Sequence, residues 1–139
     1  MRDFLTEIYN ILIQDEFITK YINPNQDIYF NKYPDTFTLN RSVIVINEFN
    51  DPLNQAYGDD RSLVSTQLID IDIFTKVNQK YNARLLRNEL SERISDLLEE
   101  KLRMSHIASS KPEYDDDLKL YRSVRTYEGA YYKNIVKSY

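Results

Sequence analysis

Between residues 62 and 103 the spacing of apolar residues switches once, from every second residue to one helical turn, and this switch constrains the fold most. Residues 62–76 alternate. One face carries Leu63, Ser65, Gln67, Ile69, Ile71 and Ile73, and the other carries Val64, Thr66, Leu68, Asp70, Asp72 and Phe74. From Ile69 to Phe74 the alternation is strict, apolar on one side and mostly acidic on the other, which predicts a strand with one face on a core. Residues 80–103 then place Tyr81, Leu85, Leu86, Leu90, Ile94, Leu97, Leu98 and Leu102 in one stripe, with charged residues around the rest. That is an amphipathic helix, with Asn78 or Asn82 as its cap. A long strand feeding a long one-sided helix calls for a sheet on which that helix can lie.

The remaining segments supply the sheet. Residues 3–21 read as a first helix on Leu5, Ile8, Tyr9, Leu12 and Phe17, capped by Asp3 and stopped at Asn23-Pro24-Asn25. Ile28-Tyr29-Phe30 reads as a short strand. Residues 41–49 contain Val43-Ile44-Val45-Ile46, a run of β-branched residues that favours a strand covered on both faces. Asn50-Asp51-Pro52 ends it, and the polar stretch 54–61 reads as the tip of a long hairpin. Residues 104–111 are a short strand or a link, and residues 112–117 an acidic loop. Residues 118–128 alternate as a strand, interrupted by Gly129, with Tyr131 onwards continuing past a bulge. The expected fold is α+β, with two amphipathic helices packed on one face of a mostly antiparallel sheet with a long hairpin. No linker divides the 139 residues, so a single domain spanning 1–139 is expected.

Composition narrows the function. Two glycines, Gly58 and Gly129, are too few for a phosphate-cradling loop of the P-loop or dinucleotide kind. With no cysteine there are no disulfides, thiolate chemistry or cysteine-held metals. A net charge of −4 is unlike a non-specific nucleic-acid binder, which is normally basic. No apolar run is long enough to predict a membrane span, and Asp3, Thr6, Glu7 and Asn10 are unlike a signal peptide.

Few residues are arranged for chemistry. Asp70 and Asp72 are neighbours on one strand face, as in a divalent-metal nuclease. The same pattern suits acids paired with cross-strand arginines such as Arg122 or Arg125, and this reading is preferred. Pro34-Asp35 is present, but Glu48-Phe49-Asn50 lacks the lysine of a nuclease acid-x-lysine motif. Glu113, Asp115, Asp116 and Asp117 lack the ligand spacing and mid-loop glycine of a calcium loop. His106 has no histidine partner. Tyr121, Tyr127, Tyr131, Tyr132 and Tyr139 interleave with Lys119, Arg122, Arg125, Lys133 and Lys137, which suits stacking on single-stranded nucleic acid or, preferably, packing at a protein interface. No catalytic, cofactor or metal residues are assigned, and an enzyme is not expected.

The order of elements resembles the tail terminator and head–tail joining proteins of long-tailed, siphovirus-type bacteriophages. The resemblance rests on the first helix before an apolar strand, and on Ser65-Thr66-Gln67-Leu68-Ile69-Asp70-Ile71-Asp72-Ile73-Phe74, which looks like that family's long alternating strand. It rests also on the helix that follows and on a final strand, 120–127, after an acidic loop. It covers residues 3–132 as a pattern of elements. The resemblance implies a structural protein that closes as a ring, a hexamer, to cap the tail tube and join it to the head connector. DNA would pass through without specific binding. It implies a virion location in the tail or neck, host cytoplasm during assembly and no membrane. Its alternatives are another neck or minor tail completion protein and, more distantly, the nuclease. Ring contacts would fall on strand edges and on the stretch 50–61, which places Asn54, Tyr57, Asp59, Asp60 and Arg61 at an interface. Asp59, Asp60, Asp70 or Asp72 would supply an acidic lumen. A heterologous ring interface needs two different patches, and the acidic strand face with the Arg122, Arg125 and Tyr127 segment is a candidate pair.

Overall fold

A computed structural model describes residues 2–49, 53–54, 57–58, 61–62 and 64–132. It is α+β: three helices lie on one side of a mostly antiparallel sheet. In chain order the helices are α1 (Phe4–Ile13), α2 (Glu16–Tyr21) and α3 (Ala83–Leu102). The strands are β1 (Ile28–Phe30), β2 (Val43–Glu48), β3 (Leu53–Asn54), β4 (Tyr57–Gly58), β5 (Arg61–Ser62), β6 (Val64–Lys76), β7 (Ser105–Ser109), β8 (Glu113–Asp115) and β9 (Leu120–Tyr132). The sheet runs β1-β2-β6-β9-β7, with β3 added to β6 and β8 to β9. Only the β1–β2 pair is parallel among these, and β4 pairs with β5 as a separate small hairpin.

The switch of period lies where the sequence puts it. β6 and α3 are joined by a short turn in which Asn78 accepts from the amides of Lys80 and Tyr81. Asn82 then caps α3, its side chain accepting from the Leu85 amide at 3.1 Å. Leu86, Leu90, Ile94, Leu97, Leu98 and Leu102 are buried as the stripe requires, whereas Leu85 is exposed. They meet Ile44, Ile46, Ile69, Ile71 and Ile73 of the sheet and Phe4, Ile8, Leu12 and Ile18 of α1 and α2. Each such side chain contributes about 1.5–3 kcal/mol on burial.

Val43, Ile44, Val45 and Ile46 are all buried, as a strand covered on both faces should be. Ile44 and Ile46 face the helices. Val43 and Val45 face a second, smaller cluster with Leu39, Phe74 and Leu120. The chain between β1 and β2 covers that second face, so the sheet has a partial third layer made without a helix.

Three expectations need correction. The first helix is two helices. At Asp15 the side chain accepts from the Ile18 amide at 3.1 Å and starts α2 afresh, a cap inside a stretch whose apolar spacing reads as continuous. The acidic loop contains β8, paired to β9 through Glu113–Arg122 and Asp115–Leu120. Gly129 causes no bulge: β9 runs through it in register, opposite Gln67. Its role is space, because a Cβ there would stand 2.6 Å from the Phe4 ring. With so few glycines, left-handed backbone falls on Asn31, Arg103 and Lys119, each with φ between 54° and 56°. Arg103 thereby closes α3 and turns the chain into β7.

Candidate functional site

β6 and β9 are paired over their full thirteen residues, so the side chains of both strands stand in register on each face. On the face away from the helices, Asp72 lies opposite Val124 and diagonal to Arg122, which itself sits opposite Phe74. Asp72 is 1% exposed and accepts from Arg122 Nη2 at 2.6 Å. The guanidinium lies over the rings of Phe74, at 5.2 Å, and Tyr33, at 5.8 Å. Burial works against its charge, but Asp72 together with Tyr33 and Glu113 outweighs this and raises the Arg122 pKa. Tyr33 accepts from Asn47 Nδ2 at 2.9 Å, and burial together with Asp72 pushes its hydroxyl pKa up. Within this inlay, Asp72 Oδ1 and Arg122 Nε have no hydrogen-bond partner.

The cross-strand pairing anticipated for the acids therefore exists for Asp72 with Arg122. Asp70 is held differently, by the Thr126 hydroxyl at 2.6 Å. Asp72 is not a solvent-facing acid, because the 31–41 segment closes over it. It cannot face a lumen from there, and the acidic and basic patches expected to meet across subunits meet inside one. Arg125 belongs to the other face. It donates to the Ser95 hydroxyl at 2.9 Å and reaches Glu92 at 3.4 Å, so it ties β9 to α3. Tyr127 is also under α3, 1% exposed, with its hydroxyl 2.6 Å from that of Ser95. That is a core position rather than a surface one.

The backbone places Asn54 opposite Ser65, Tyr57 opposite Ser62 and Arg61 opposite Gly58, in the strands that extend the β2–β6 turn. Asp59 and Asp60 lie outside the described residues. His106 stands on the edge strand β7, exposed, with its ring 5.5 Å from that of Tyr127. Among the described residues no group of three or more His, Asp or Glu side chains is placed to share a metal.

Beside the Asp72–Arg122 inlay lies an open groove of about 1,020 Å³. Phe74, Leu120 and Arg122 line it, with Tyr33 on one side and Glu113 and Asp115 of β8 on the other. Tyr114 is held by stacking on Tyr121 at 4.4 Å between centroids. At the rim Asp115 accepts from the Asp117 and Leu118 amides, and Asp116 pairs with Lys119 at 2.9 Å. Within the acidic run the Asp115 and Asp116 carboxylates thus serve their own backbone and neighbours. Tyr33 and Leu39 were not singled out in the sequence, because residues 31–41 have neither helical nor strand periodicity.

The two edges of the sheet differ. Every residue of β7 is exposed, including Ile107, which stands where the β7–β9 register shifts. On the opposite edge β1 is three residues long, with Phe30 exposed, and the connection after it carries Phe37 at 86% exposure. The chain matches no family model and, at a significant level, no curated protein. No helix among the described residues is long and apolar enough to cross a membrane.

Proposed function

We propose that the chain is a structural morphogenesis protein of a long-tailed bacteriophage, a tail terminator that closes as a ring on the tail tube and joins it to the head connector. The observation that carries the reading is the sheet with two unlike open edges. A ring grows head to tail, so each subunit needs two different complementary patches rather than one self-complementary patch. β7 offers a full strand edge with Ile107, and the β1 side offers a short edge with Phe30 and Phe37. Unpaired strand edges accept further strands, and exposed aromatic side chains supply apolar contact area. The order of helix, strand, hairpin, long strand, long helix and final strand also agrees with the resemblance. The ring contact moves accordingly, from Arg122 and Arg125, which are engaged within the subunit, to the edges. A net charge of −4 suits a conduit that repels DNA rather than gripping it.

The nuclease alternative lacks comparable support, since Asp72 points inward onto Arg122. A terminator stops polymerisation of the tail-tube protein. Purified tube protein should therefore form tubes of limited length when this chain is added, as seen by electron microscopy. Unchanged tube length would reject the terminator role and favour another neck or minor tail position.

A further inference from the structure

Arg87 sits on the buried face of α3, 7% exposed, yet none of the ion pairs among the described residues includes it. Its Nε and Nη2 donate to Asn88 Oδ1 at 3.2 and 3.0 Å, and its guanidinium lies 5.4 Å from the Tyr121 ring. Its Nη1 has no protein acceptor among the described residues and opens towards solvent, since the buried unpartnered atoms do not include it. A buried cation without a counter-charge is costly, and proteins normally pair it. Burial, followed by the like charge of Arg84, lowers the Arg87 pKa.

This side chain walls a small cleft between α3 and the end of β7. Arg125 lines it as well, together with the hydroxyl residues Ser109, Ser110 and Ser123. Ser123 is committed to Ser91, at 2.8 Å, but Ser109 and Ser110 are exposed and their hydroxyls have no partner among the described residues. Arg125 reaches one acid, Glu92, which is 71% exposed and 3.4 Å away. The cleft is about 90 Å³, roughly three times the ~30 Å³ that a water occupies in the liquid. It has room for one small polyatomic anion and is too small for an apolar ligand or an extended chain.

We propose that this cleft binds a tetrahedral oxyanion, orthophosphate or the terminal group of a phosphate monoester, between the guanidiniums of Arg87 and Arg125 and the hydroxyls of Ser109 and Ser110. A dianion supplies the charge that Arg87 lacks. Its several acceptor oxygens match donors from two arginines and two serines. The site is separate from the Asp72–Arg122 inlay, which lies on the opposite face of the sheet, and it does not depend on the ring reading.

The test is thermal unfolding of the full chain in sodium phosphate against sodium chloride at matched ionic strength, with phenyl phosphate as a third arm. Phosphate should raise Tm by roughly 3 °C or more at saturating concentration. A matching shift with phenyl phosphate identifies a phosphorylated group as an acceptable source, and a shift with orthophosphate alone identifies the free ion. Phosphate also stabilises proteins by exclusion from their surface. Arg87→Gln should abolish the specific shift. If that variant folds poorly, Ser109→Glu on the exposed edge serves instead: its carboxylate should occupy the cleft, hold or raise Tm without phosphate, and remove the phosphate response. Equal Tm in phosphate and chloride, or a phosphate shift in Ser109→Glu as large as in the parent, would overturn the proposal.

Discussion

On the helix side of the sheet, Ile44, Ile46, Ile69, Ile71 and Ile73 meet apolar side chains from three helices. On the other side Val43, Val45, Phe74 and Leu120 form a small cluster, and next to it lies a buried Asp72–Arg122 pair roofed by Tyr33. The first face is held by apolar area removed from water, which no single residue dominates. The second depends on one charged pair whose attraction must offset the desolvation of both partners. Asp72 has one unpartnered oxygen and Arg122 one unpartnered nitrogen, so the pairing is incomplete. The two faces should therefore respond differently to substitution: the helix face in proportion to volume removed, the other according to whether charge is left unbalanced.

The largest effect is expected on the helix face. Ile94→Ala removes a fully buried side chain from the middle of α3 and should cost about 2–5 kcal/mol, measured by urea unfolding. On the other face Asp72→Ala strands Arg122 and should cost about 3 kcal/mol, at the low end for a buried pair because the guanidinium is partly exposed. The double variant Asp72→Leu/Arg122→Leu should recover to within about 1 kcal/mol of the parent. If the double variant is as unstable as the single, the pair is not the liability described here, and the contrast between the faces fails.

Smaller effects sharpen the comparison. Gly129→Ala presses a methyl group into the Phe4 ring and should cost about 2 kcal/mol, with α1 as the first element to lose amide-exchange protection. Asp15→Asn keeps a capping oxygen for α2 but removes the charge facing Arg93, and should cost about 1 kcal/mol at pH 7. The hydrogen bond from Arg93 holds the Asp15 carboxyl below its ordinary 3.8. A lowered carboxylate pKa stabilises the fold fully above the unfolded value, and this contribution is lost as pH falls through the folded value. The gap between parent and Asp15→Asn should therefore be constant above about pH 5 and close below about pH 4. A gap that persists at low pH would show that the charge is not what Asp15 contributes.

These contrasts also show which parts of the structure were legible in the sequence. β6 and α3 were plain because each carries many residues of one period on one buried face. β2 was legible as doubly covered because four β-branched residues in a row have no polar side to offer water. The break at Asp15 was hidden because Leu12 and Phe17 keep near-helical spacing across it, while the cap that interrupts them is a local hydrogen bond. Asp72 read as exposed because its strand alternates. What covers it is a non-periodic segment more than thirty residues earlier, brought over the sheet by the parallel β1–β2 pairing. The same cover removed Arg122 from the expected interface, and the fold of β9 under α3 removed Arg125 and Tyr127. Arg87 was missed because in sequence it sits among the charged residues of an amphipathic helix, and only packing shows it turned inward without an acid.

Assembly through unlike sheet edges underlies the proposed ring. Its most direct test is mass in solution by light scattering behind a sizing column, on the chain alone and with tail-tube protein present. A closed particle of about 100 kDa, six copies of 16.6 kDa, is expected in at least one of these conditions. Charged substitutions at Ile107 or Phe37 should reduce that particle to monomer while leaving the fold intact. A monomer in both conditions at every concentration would contradict this assembly.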